Sequence, residues 1–282
     1  MAALLDRIAT SAPPLVWLDD EAYVARLLGG GRTPWLNAAE LIALRRKANG
    51  LLRTQVTQLS LSAVIDACVA ADVGLLESMR TKKRAIAPLR TLLGDSSVRG
   101  KLLEIARALR STFPAVPFLL TLPSPRNWVT QAYRCAFGAA ANVDVGAEET
   151  DSSAVYVAEF LRTFGELDIS GLLLQERIGA EPNSDAEVAW YKPVINVCAH
   201  YRWDLGLQLP EAGGFVGPLG GVGFVIAPRP IDAAVAGVMT PANFWADGPP
   251  PPVPANGFRF AEIPADGIPE QVLERLALLR NA

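Results

Sequence analysis

Histidine is almost missing from this chain: His200 is the only one in 282 residues. A site built from several imidazoles is therefore excluded. Cysteine is scarce as well. Cys68, Cys135 and Cys198 are too few and too scattered for a disulfide framework or a four-thiolate zinc site, so free thiols in a reducing cytoplasm are expected. Positive charge is not in excess, since 26 Lys and Arg stand against 29 Asp and Glu. Nothing here supplies the basic face that nucleic acid needs. No apolar run approaches the roughly 18 residues of a membrane-spanning helix. The opening Met-Ala-Ala-Leu-Leu-Asp-Arg-Ile carries an early acid and lacks the basic and apolar stretches of a signal peptide. The expectation is a cytoplasmic protein with neither nucleic acid nor membrane as partner.

What is abundant is apolar. Half of the residues are hydrophobic and only 20% are charged, a composition that buries a large core. The length fits one α/β domain over residues 1–282. Residues 1–110 read as mostly helical. Asn37-Ala-Ala-Glu40 is an N-cap with a glutamate three residues on. Apolar stretches at 61–76 and 102–109 continue the helical pattern, Leu15–Leu18 could form a short strand, and 56–61 is ambiguous.

From residue 111 the pattern becomes strand, loop, helix. Apolar runs at 116–122, 169–176, 194–200, 223–228 and 258–263 read as strands, with a helical segment at 151–167 and a closing helix that begins near Pro269. Buried runs without alternation, separated by helices, argue for a parallel sheet covered on both faces. The expected fold is a (β/α)8 TIM-like barrel with a largely helical N-terminal region; an open doubly wound sheet is the alternative, since the early strands are hard to count. In such a barrel the strands' C-terminal ends form the active-site mouth, which would bring Ser124, Glu176 and His200 together.

Read as a strand end, Cys198 and His200 point to one face. Three chemistries stay open for them: zinc ligation with Glu176 or Glu211 adding an oxygen, a thiol nucleophile with an imidazole base, and proton transfer by His200 oriented by Glu176. Arg202 and Asp204 would extend the polar set. Arg126, Asn127 and Trp128 follow a strand stop, where a guanidinium and helix-start N–H groups could grip a carboxylate. Glycines between 213 and 223 suggest a lid over the mouth.

Three segments in order resemble a known superfamily, that of cobalamin-independent methionine synthase and uroporphyrinogen decarboxylase. They are Leu120-Thr-Leu-Pro-Ser-Pro-Arg-Asn-Trp128, Leu172-Leu-Leu-Gln-Glu176 and Ile195-Asn-Val-Cys-Ala-His-Tyr201. The resemblance implies a barrel enzyme that performs methyl transfer or decarboxylation on a carboxylate-bearing small molecule. It places Ser124, Arg126, Asn127, Trp128 and Arg202 at the substrate, with His200, Glu176 and Cys198 catalytic. It implies either no cofactor or a zinc ion on Cys198, His200 and Glu211. In this chain the two ligand types stand in reverse order, and no cysteine follows His200. The rival expectation is a catalytically inactive barrel acting as a binding or scaffolding subunit, and self-association is compatible with either.

Overall fold

The structure is a computed structural model and describes residues 4–177, 185–211 and 219–282. Eight strands form one sheet: β1 (Val16–Asp19), β2 (Thr57–Ser60), β3 (Phe118–Pro123), β4 (Gly171–Gln175), β5 (Asp204–Gln208), β6 (Phe224–Ala227), β7 (Ala236–Met239) and β8 (Phe258–Glu262). Their order is β1-β8-β7-β6-β5-β4-β3-β2, and every hydrogen-bonded pair is parallel. Sequential parallel strands with intervening helices make this a (β/α)8 TIM-like fold.

The helices are α1 (Leu4–Thr10), α2 (Glu21–Leu28), α3 (Ala38–Leu52), α4 (Leu61–Ala71), α5 (Val73–Met79), α6 (Ala87–Gly94), α7 (Ser96–Thr112), α8 (Pro125–Phe137), α9 (Ala147–Leu161), α10 (Asp185–Val188), α11 (Lys192–Tyr201) and α12 (Pro269–Asn281). None of the described helices is long and apolar enough to cross a membrane. The residues 228–235 between β6 and β7 contain no helix, so the barrel is irregular on that side.

Alternation along the strands separates two apolar layers. Val16, Leu18 and Ala261 pack outward against α2, α3 and α12. Trp17, Leu119, Leu173, Phe224, Ile226, Phe258 and Phe260 point inward. Four large rings fill the lumen, with Trp17 6.0 Å from Phe224, 6.0 Å from Phe258 and 5.8 Å from Phe260, centre to centre. They fit because the facing positions carry no side chain. A Cβ on Gly206 would collide with the Phe224 ring, and one on Gly237 with Phe258. Helix α1 plugs the N-terminal end: Leu4 and Ile8 join the inner cluster, and Leu5 N–H donates to Asp204 Oδ2 at 3.0 Å.

The barrel closes across a seam. The edge strands β1 and β2 share no backbone ladder, yet glutamine side chains span the gap. Val16 N–H donates to Gln55 Oε1, and the Trp17 indole N–H donates to Gln58 Oε1, both at 2.8 Å. Edge groups that would otherwise be orphaned are thereby satisfied.

Two sequence readings change. Residues 194–200 are not a strand; they lie in α11, and the strand is Asp204–Gln208. Pro193 sits in the first turn of α11, where its missing N–H has no helical partner to lose. The buried side chains Val194, Val197 and Cys198 fall at helical spacing. Leu273, read as inward-facing in the closing helix, is 37% exposed.

Candidate active site at the barrel mouth

Ser124 and Glu176 meet as the strand-end reading expected, but His200 does not join them. Glu176 follows β4 on its outward side, facing α8. There its carboxylate accepts from Ser124 Oγ–H and from Tyr191 O–H, each at 2.6 Å. Ser124 Oγ also caps α8 by accepting Asn127 N–H, and Asn127 Nδ2 donates to the Gln175 carbonyl. Burial, then the Glu176 carboxylate, hold the Tyr191 hydroxyl well above its ordinary pKa. Trp128 is core, set edge-on against Phe160. The Arg126 guanidinium lies 3.5 Å from Glu187 and stacks 4.9 Å from the Trp190 ring.

Cys198 and His200 diverge. Two residues along an α-helix differ by about 200°, so Cys198 is buried while His200 is exposed. Burial pushes the Cys198 thiol up to about 12, which removes it as a thiolate at neutral pH. The C-terminal end of α11 leads into the start of β5, so His200 lies at the end of the barrel opposite the mouth. It lines a surface groove between α9 and α11. Arg202, exposed, closes α11 with φ +58°, and Glu211 is exposed beyond β5. Among the described residues no three His, Cys, Asp or Glu side chains gather to hold a metal ion. The zinc set of Cys198, His200 and Glu211 thus does not fit this geometry. The glycine lid falls largely at residues 212–218, outside the described residues.

The mouth itself is built by residues that the sequence reading passed over. Alternation puts Asp19, Gln58, Thr121, Gln175, Gln208 and Glu262 on the inner side of the strands, near their C-terminal ends. Gln175 Nε2 donates to Gln208 Oε1 at 3.0 Å, and Asp19 stands in register with Glu262. The lumen therefore changes from aromatic below to polar above. Next in the chain, Asp20 forms an ion pair with Arg45 of α3 at 2.7 Å.

Burial, then the charges of Asp20 and Glu262, push the Asp19 carboxyl up to about 6. Burial and Asp19 push Glu21 up to about 7. Where β1 and β2 part lies a narrow cleft of only about 10 Å³, room for one water-sized group, lined by Asp20, Glu21, Trp35, Arg45, Gln58 and Ser60 among others. Its signal was present in the sequence: Trp17-Leu-Asp-Asp-Glu21 is an apolar run ending in three acids.

These carboxyls make stability fall with pH. Both bind protons more tightly folded than unfolded. Their contribution is full below their ordinary values of 3.8 and 4.5 and is lost as pH rises through about 6 and 7. Each shift corresponds to about 3 kcal/mol, and since each carboxyl feels the other the pair loses less than the sum. Glu21→Gln should therefore stabilise the protein at pH 8 by about 2 kcal/mol and leave it nearly unchanged at pH 4. Urea unfolding at the two pH values measures this, and equal effects at both would contradict it.

Compared with protein-family models, with curated proteins and with solved structures, the chain matches none.

Proposed function

We propose that this chain is an enzyme that transfers a proton to or from a small carboxylate-bearing substrate at the barrel mouth. Of the two activities that the resemblance implies, decarboxylation is the one this reading favours. The observation that carries it is Asp19: an inward-facing carboxyl at the mouth, in register with Glu262 and held at about 6. A carboxyl so placed changes protonation near neutral pH, which is what an acid–base catalyst needs. In the proposed step the bond to the substrate's carboxylate carbon breaks and CO2 leaves. The electron pair stays on the remaining carbon, and Asp19 delivers the proton there. Methyl transfer through zinc has less support, because its ligand types are turned apart on α11.

Arg126 keeps the substrate role it had in the sequence reading. With Asn127 and Arg177 it lines a pocket of about 200 Å³ beyond the ends of β3 and β4, on the mouth side of the barrel. A guanidinium and an amide there suit a carboxylate.

The test is CO2 release from a panel of small carboxylic acids by the wild type and by Asp19→Asn. The expected result is release from at least one acid, with kcat lowered about a hundredfold or more in the variant. A scaffolding barrel would release none from any acid, and undiminished turnover in Asp19→Asn would remove the assignment.

A further inference from the structure

A groove of about 840 Å³ lies on the outside of the barrel between α9 and α11, and acid–base chemistry at the mouth makes no use of it. Helical spacing builds both of its walls. Val155, Glu159 and Arg162 recur at four and three residues along one face of α9 and into the turn that follows it. Asn196 and His200 recur at four residues along α11 and face them. Ala158 and Val197, each 6% exposed, form the floor. Val155 leaves 51% of its surface in water beside this floor, so the apolar strip of the groove is uncovered in the single chain.

The charges on α9 say what covers it. Glu159 and Arg162 pair within the chain at 3.4 Å, but their side chains are 60% and 63% exposed. An ion pair so exposed is worth little and exchanges partners at small cost. When a second α9 is laid antiparallel along the groove, crossing near Glu159, each Glu159 comes within reach of the other's Arg162. The stripe is thus its own complement, and a two-fold axis requires a patch that complements itself. Shape meets the same requirement. Helix α9 seats in the groove of the partner while the partner's α9 seats in this one, and the four helices pack as a bundle. Tyr156 and Tyr201, which also line the groove, are of a residue type enriched where proteins meet, as is Arg162.

From this geometry we infer that a second copy of this chain occupies the groove, in a two-fold dimer built on α9 and α11 in which Val155 is buried and Glu159 pairs with the partner's arginine. The interface lies on the flank of the barrel, so the dimer leaves Asp19 and the mouth open and stands apart from the proposed chemistry.

Sedimentation velocity of the full chain over a concentration series tests it. The wild type should be mainly dimeric at about 50 µM. Val155→Glu brings two unpaired carboxylates into the contact and should weaken the dimer at least roughly tenfold. Glu159→Arg alone sets arginine against arginine, and Arg162→Glu alone sets glutamate against glutamate, on both sides of the axis at once. Each should weaken the dimer by a similar factor, whereas the double variant Glu159→Arg/Arg162→Glu restores the complement and should dimerise as the wild type does. Circular dichroism checks folding, and the charge variants carry the test should Val155→Glu fail to fold. A wild type that stays monomeric at that concentration overturns the inference. So does a dimer that survives Val155→Glu or the single charge reversals, or one that the double reversal fails to restore.

Discussion

Replacing Trp17 with Ala should cost about 4–5 kcal/mol of stability, at the upper end for truncating a buried aromatic ring. Trp17 is fully buried and is the ring that the other three lumen aromatics share. Gly206 and Gly237 make room for Phe224 and Phe258, and these rings pack on Trp17 from their own strands, so its removal leaves a void at the centre of the lumen that they fill only in part. Poor collapse is what pushes such substitutions to the high end of their range. The indole N–H also spans the seam to Gln58, and its loss leaves that crossing without a donor. Domains of this kind are stable by only about 5–15 kcal/mol, so Trp17→Ala would leave the barrel marginal. Trp17→Phe keeps most of the volume and loses the seam hydrogen bond; it should cost about 1–2 kcal/mol. Urea midpoints at constant slope measure both. A cost below 2 kcal/mol for the alanine variant would mean that the lumen is not packed as described.

The same glycines explain why part of the fold was hidden. Strands β3, β4, β6 and β8 were legible because parallel strands buried on both faces read as unbroken apolar runs. The start of α3 was legible because Asn37 accepts Glu40 N–H and donates to Glu40 Oε1, a cap that is local in sequence. Strand β7, Ala-Gly-Val-Met, was not. Its glycine is there to admit the Phe258 ring, a reason that lies across the sheet and not along it. Helix α11 was misread because Val194, Ile195 and Val197 are β-branched, a composition favoured in strands. The spacing of its buried residues and Pro193 at its start already indicated a helix.

The candidate site suffered from the α11 misreading in turn. Once 194–200 is a helix, Cys198 and His200 no longer share a face. A scarce and chemically versatile residue had drawn the reading toward His200, while the three acids after Leu18 met the same strand-end criterion and were passed over. Scarcity marks a residue as conspicuous but says nothing of where the chain puts it. The strand-end rule worked for Ser124 and Glu176, which do meet. Even there alternation turns Glu176 outward, one residue past the inward Gln175.

Glu176→Ala should destabilise the protein by about 4 kcal/mol. The carboxylate is buried, and it is the acceptor for two short hydrogen bonds, from Ser124 and from Tyr191. Removing it takes the acceptor from two buried hydroxyls, which keep only their bond to each other, and leaves a void besides. Glu176→Gln retains one acceptor oxygen and the volume, and should cost about half as much. Tyr191→Phe takes a donor from the buried Glu176 carboxylate and should cost about 2 kcal/mol. The double variant Glu176→Ala/Tyr191→Phe then separates a network from a sum. With the tyrosine hydroxyl already gone, the alanine no longer takes its acceptor, so the two losses should fall short of additivity by about 1–2 kcal/mol. Strict additivity in urea unfolding would show that Tyr191 and Glu176 are not coupled. The site depends on this bond set, because Glu176 follows Gln175 directly. Its N–H continues the β4–β5 pairing to the Gln208 carbonyl, and Gln175 and Gln208 present their joined amides to the mouth. The outward-facing carboxylate thus fixes the strand end from behind, so that the inward-facing amides hold their places opposite Asp19.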